Sequence, residues 1–164
     1  MSKNLNFDTD SEVFIYEKHL KRILPLLLND DPLKTLKYLC INLKTSILNE
    51  YNVESEKIKN SNEIDNDLSL IWRKIINEHP RYVYNRSFPN ILVNGVRKSI
   101  DFLGKNNKGS ISQIINLLQK YELFIFRRFE LYFFDKFPEL SKHYLNFYPQ
   151  KKNYFKNVDS ILEY

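Results

Sequence analysis

The sequence predicts an all-α fold, built as antiparallel helical hairpins that form an α-solenoid fragment or an irregular helical bundle. Three observations carry this. Apolar residues recur at spacings of three and four in several separate stretches, prolines punctuate the ends of those stretches, and only 3 glycines occur in 164 residues. The 43% apolar content comes largely from Leu, Ile, Phe and Tyr, which excludes wholesale disorder. A chain of this length is expected to form one domain, residues 1–164, around one core.

The first helix is expected to begin near Ser11, where Asp10 and Glu12 favour the positive end of its dipole, and to run through Val13, Tyr16, Leu20, Ile23 and Leu24. Proline removes a donor and clashes with the preceding turn, so Pro25 is expected to bend or restart the helix, leaving Leu26-Leu27-Leu28 as a short segment closing at Asn29-Asp30. Asp31 reads as the N-cap of the second helix, with Pro32 in the first helical position. Leu33, Leu36, Leu39, Cys40, Leu43 and Ile47 then form one apolar stripe opposite Lys34, Lys37 and Lys44, for antiparallel packing on the first helix.

Residues 52–66 lose the stripe, gather charge and Asn, and read as a mobile loop between hairpins. A helix over 67–79 places Leu68, Ile71, Trp72, Ile75 and Ile76 on one face and ends before Pro80. Ser87 or Phe88 leads into a helix opened by Pro89, carrying Leu92, Val96, Ile100 and Leu103, and stopped at Gly104 by a left-handed cap. Ser110 caps a helix with Ile111, Ile114, Leu117 and Leu118, and the strongly aromatic stretch 122–137 is expected to contribute most to the core. Pro138 starts a short helix near 141–148, Pro149 breaks it, and 158–162 could form one last turn. The order amounts to six to eight helices in antiparallel pairs, with no clean internal repeat.

The net charge of +5 is unevenly spread: residues 1–80 hold 11 basic and 13 acidic side chains, residues 81–164 hold 14 and 7. This permits an anionic partner, although no concentrated basic run is present. The single cysteine, Cys40, forms no internal disulfide and reads as a small buried hydrophobe suited to a reducing compartment. Residues 1–6 hold no apolar signal core, and no apolar run approaches the ~18 residues of a membrane span, so a cytoplasmic protein with no membrane partner is expected.

No complete set of catalytic groups stands out, and a non-enzymatic protein without cofactor is expected. Gly104-Lys105-Asn106-Asn107-Lys108-Gly109-Ser110 has two glycines and a hydroxyl at a helix start, but it lacks the lysine of a phosphate loop before Ser110 and follows a helix, so it reads as a helix-to-helix turn. His19, His79 and His143 are far apart, without metal-ligand spacing, and no metal is expected. Glu122, Glu130 and Asp135 are spaced for pairing with nearby cations across helical turns. Arg127 and Arg128 differ by about 100° on a helix, so at least one guanidinium points toward packed aromatics. That arrangement gives an ion pair or cation–π contact, with anion binding as the alternative. Trp72 and Arg73, followed by His79, form a second unusual group, which reads either as core packing or as an exposed binding hot spot.

The stretch Ile71-Trp72-Arg73-Lys74-Ile75-Ile76-Asn77-Glu78-His79 resembles a block in the helical C-terminal sensor regions of bacterial anti-phage STAND-type NTPases and related sirtuin-like defence proteins. Leu92-Val93-Asn94-Gly95-Val96-Arg97, within 88–100, and Ile125-Phe126-Arg127-Arg128-Phe129 are similar to further helices of that region. So are Leu24-Pro25-Leu26 and the segment from Asp31-Pro32-Leu33 to Leu39-Cys40, and the likeness spans roughly residues 13–140. Lys74 stands where that block has proline, Asn77-Glu78 replaces an acidic pair, and Pro80-Arg81 a polar pair. The resemblance implies a helical array that recognises a phage protein or supports its own oligomerisation, while other domains carry catalysis.

The expected function is therefore a non-catalytic helical protein-binding module, sensing or scaffolding in anti-phage defence, with Trp72, Arg73, His79, Arg127 and Arg128 as its contact residues. The alternative is a basic helical nucleic-acid-binding protein using Arg97, Lys98, Lys105 and Lys108.

Overall fold

The computed structural model describes residues 9–52, 76–77, 87–106 and 111–145. Within these residues the protein is all-α: α1 (Thr9–Asp30), α2 (Pro32–Asn52), α3 (Phe88–Asn106), α4 (Ile111–Leu118), α5 (Phe124–Lys136) and α6 (Pro138–Leu145). Of the expected loop over 52–66, Asn52 belongs to the end of α2; the rest of that loop, most of the helix over 67–79, the cap at Ser110 and the tail from 149 lie outside the described residues.

The junction of α1 and α2 forms as its residues dictate. The backbone N–H of Lys34 donates to Asp31 Oδ1 at 2.9 Å, an N-cap bond that satisfies one orphan donor of the first turn, while Pro32 has no N–H to satisfy. The Thr35 hydroxyl donates to the carbonyls of Asp31 at 2.7 Å and Leu27 at 3.0 Å, tying the start of α2 to the end of α1.

Helix α3 is buried on most sides among the described residues. Ile91, Leu92, Val93, Val96, Ile100 and Leu103 are buried, and so are Asn90, Arg97 and Ser99, leaving only a narrow solvent-facing stripe. Its most extensive packing is against α2, whose Leu36, Leu39, Cys40, Leu43 and Ile47 are buried, and it also touches α1 and α5. Each such side chain contributes about 1.5–3 kcal/mol when withdrawn from water. The buried Ser99 hydroxyl donates to the Gly95 carbonyl at 2.9 Å, so no polar cost remains at this point of the core.

The second half supplies the aromatic core. Phe126, Phe129 and Phe133 of α5 are fully buried, Tyr121 stacks on Phe126 with centroids 4.4 Å apart, and Phe137 tilts against Phe133 at 5.3 Å. Helices α4 and α6 pack on α5, and α4 also reaches α2, which joins the two halves.

Three expectations are corrected. Helix α1 runs unbroken through Pro25, which is exposed and removes only the one backbone bond to the Lys21 carbonyl. Helix α3 does not stop at Gly104 but continues to Asn106, and none of the described glycines has a positive φ. Gly104 is there for space, as its contact with Phe137 shows. Ile76 and Asn77, placed by the sequence near the end of a helix, sit in a bend; the sequence itself disfavours helix here, since a proline four residues on removes the donor that the Ile76 carbonyl would use.

Candidate functional site

The residues singled out by sequence fall into separate places. Trp72, Arg73, His79 and Lys108 lie outside the described residues. On α5, Arg127 Nη1 bonds Glu130 Oε1 at 2.7 Å, one turn away, and Glu130 is only 1% exposed. Gln119 Nε2 reaches the other carboxylate oxygen at 3.4 Å, so Arg127 is engaged in neutralising a buried acid. Arg128 is half-buried on the adjoining face.

The basic residues of α3 also divide. Arg97 is only 9% exposed, with Nη1 3.9 Å from Asp101 Oδ2, so its guanidinium belongs to the packing rather than to a surface that phosphates reach. Lys98 and Lys105 are exposed and, seven residues apart, share one stripe of the helix. They stand on α3, whereas Arg127 and Arg128 stand on α5.

One polar cluster joins α3 to α5. Asp101 Oδ1 accepts from the Tyr132 hydroxyl at 2.7 Å and from Lys136 Nζ at 2.8 Å, and Lys136 also donates to the Tyr132 oxygen at 2.6 Å. Burial pushes the Tyr132 hydroxyl above the usual phenol range, its bond to Lys136 opposes this, and Asp101 reinforces it. Burial alone would lower Lys136, but its bonds to Asp101 and Tyr132 outweigh that and raise it. The cluster is internally satisfied and works as an interhelical clasp. Cys40, 0% exposed, has its thiol pushed far up by burial, which keeps it out of the reactive thiolate form.

The surface that the sequence reading passed over is apolar. Ile15, Ile23, Leu26 and Leu27 of α1 and Tyr38 and Ile41 of α2 are all exposed, and Leu26 keeps 69% of its surface in water. Ile23, assigned by spacing to the buried stripe, is on the outside; the inner face of α1 is made by Val13, Leu20, Leu24 and Leu28. The Thr35 hydroxyl bond to the Leu27 carbonyl at 3.0 Å ties the start of α2 to α1 beside this exposed segment. A signal for this was present: α1 holds more apolar residues than one stripe can use, and helices apolar on several sides bury more than one face.

Among the described residues no group of three His, Cys, Asp or Glu is placed to hold a metal ion, and no helix is long and apolar enough to cross a membrane. No protein-family model, curated protein or solved structure matches this chain.

Proposed function

We propose that this chain is a non-catalytic helical module that binds protein through the outer face of the α1–α2 hairpin. The observation that carries the reading is the exposure of Ile15, Ile23, Leu26, Leu27, Tyr38 and Ile41 on two consecutive helices. Half-exposed side chains of this size offer on the order of 100 Å² each, so the face holds several hundred Å² of apolar surface, the scale at which such patches mark interaction sites. The resemblance to helical sensor regions of anti-phage proteins supports a role in sensing or scaffolding in that setting. The satisfied Asp101 cluster and the inert Cys40 support a structural rather than a chemical use of the polar groups.

A photo-crosslinking residue placed at position 26, and in a separate chain at position 98, tests this in bacterial cells with and without phage infection. Protein captured at 26 and not at 98 is the expected result. Equal, low capture at both positions rejects the reading, and salt-sensitive nucleic acid captured at 98 replaces it with the phosphate-binding alternative.

A further inference from the structure

We propose that the protein occupying this face is a second copy of the same chain, packed across a two-fold axis with Leu26 near the axis and the two α1 helices antiparallel. The proposal rests on the reading of the hairpin face as a protein-binding surface and narrows it to one occupant. Leu26 is the most exposed large apolar residue of those described, and it lies on the solvent side of α1. Arg22 and Asp30 stand four residues to either side of it, each offset by about 40° around the helix, in opposite senses. Both are exposed, and among the described residues neither enters an ion pair.

This arrangement is self-complementary. An antiparallel pair of α1 helices centred on Leu26 brings Arg22 of each copy level with Asp30 of the other, whereas a parallel pair sets like charge against like. A surface that carries its own complement about one point is what an isologous dimer requires. Ile23 and Leu27 lie within one turn of Leu26, and Tyr38 is exposed on the adjoining helix α2, so the contact has an apolar centre and a charged rim.

The area sets the strength. Ile23, Leu26, Leu27 and Tyr38 present roughly 400 Å² per copy, which with the flanking polar groups gives a total near 1,000 Å², the low end for a specific contact. The dimer is accordingly weak, with a Kd on the order of micromolar.

Sedimentation velocity of the full chain from about 1 to 500 μM is the test, with helicity of every variant checked by circular dichroism. A reversible monomer–dimer equilibrium is expected. Leu26→Asp weakens it about tenfold or more, as loss of a central apolar contact should. Arg22→Glu weakens it about threefold to fivefold, and adding Asp30→Arg to that variant restores the original affinity. A dimer that resists Leu26→Asp, or whose affinity the charge exchange fails to restore, overturns the proposal. A chain that stays monomeric throughout also overturns it, and a hydrophobic dye then separates the two readings. Dye bound by the intact chain and lost in Leu26→Asp removes only the second copy as occupant, while no dye binding removes the apolar surface as well.

Discussion

The ring of Phe137, at the end of α5, lies against Gly104 in the last turns of α3 so closely that a Cβ at position 104 would stand 2.5 Å from its Cζ and 2.8 Å from its Cδ2. Glycine inside a helix ordinarily costs roughly 0.5–1 kcal/mol relative to alanine, so Gly→Ala at an open site stabilises. Here the sign reverses. Gly104→Ala is expected to cost about 1–3 kcal/mol through overpacking, measured by urea unfolding, and Phe137→Leu in the same chain should recover part of the loss. Gly95 is the internal control: its added Cβ would meet Leu39 Cδ2 at 3.3 Å, the tip of a flexible side chain, and Gly95→Ala should lie within about 1 kcal/mol of neutral.

Arg127 and Glu130 form a pair whose acid is buried and whose base is partly exposed, with side-chain accessibilities of 2% and 23%. Removing the base strands the carboxylate, so Arg127→Ala should destabilise by roughly 2–3 kcal/mol, below the usual cost of breaking a fully buried pair because of the exposure of Arg127. Arg127→Met with Glu130→Met should return most of that stability in chemical denaturation. If the double variant is no better than Arg127→Ala, the carboxylate is not the source of the cost. Loss of a partner in Arg127→Ala would therefore report unfolding, and Leu26→Asp is the cleaner probe of binding.

The fold was legible where local chemistry is decisive. Asp31 and Pro32 mark the start of α2, the three-and-four spacing of Leu36, Leu39, Cys40, Leu43 and Ile47 marks its inner face, and the aromatic run marks α5. Positions governed by a distant neighbour were not legible. Gly104 looks like a cap until Phe137 is seen beside it, and Pro25 looks like a break although α1 runs through it with the proline exposed. The candidate surface was hidden for the same reason: spacing finds one stripe on α1, but which of two apolar sides turns inward is set by α2 and α3. Likewise, a basic pattern on α3 says nothing about Arg97 being buried against Asp101.

The clasp between α3 and α5 makes stability sensitive to alkali. Tyr132 and Lys136 both have folded pKa values raised above their ordinary ones. A group that holds its proton more tightly when folded contributes stability fully present below its unfolded pKa, here about 10 for tyrosine and about 10.4 for lysine, and loses it as pH rises through the folded value. Thermal unfolding should show little change with pH between neutrality and about pH 9 from this pair, then a falling Tm above about pH 10. Tyr132→Phe should lower stability at neutral pH by about 1 kcal/mol, the net worth of one hydrogen bond, and should flatten the alkaline fall. An unchanged alkaline slope in that variant would place the sensitivity elsewhere.

Pro25 offers a change that separates helix stability from surface function. It lies exposed in the interior of α1, where it removes one backbone hydrogen bond, a defect worth up to about 3 kcal/mol. Proline also restricts the unfolded chain by about 0.4–1 kcal/mol, which offsets part of the gain, so Pro25→Ala should gain about 1–2 kcal/mol net. For a chain of this length that raises Tm by roughly 2–8 °C. Because the substitution leaves Arg22, Leu26 and Asp30 in place on a helix that is already continuous, the affinity of any contact through that face should not change. A higher Tm with altered association would mean that the proline shapes the surface as well as interrupting the helix.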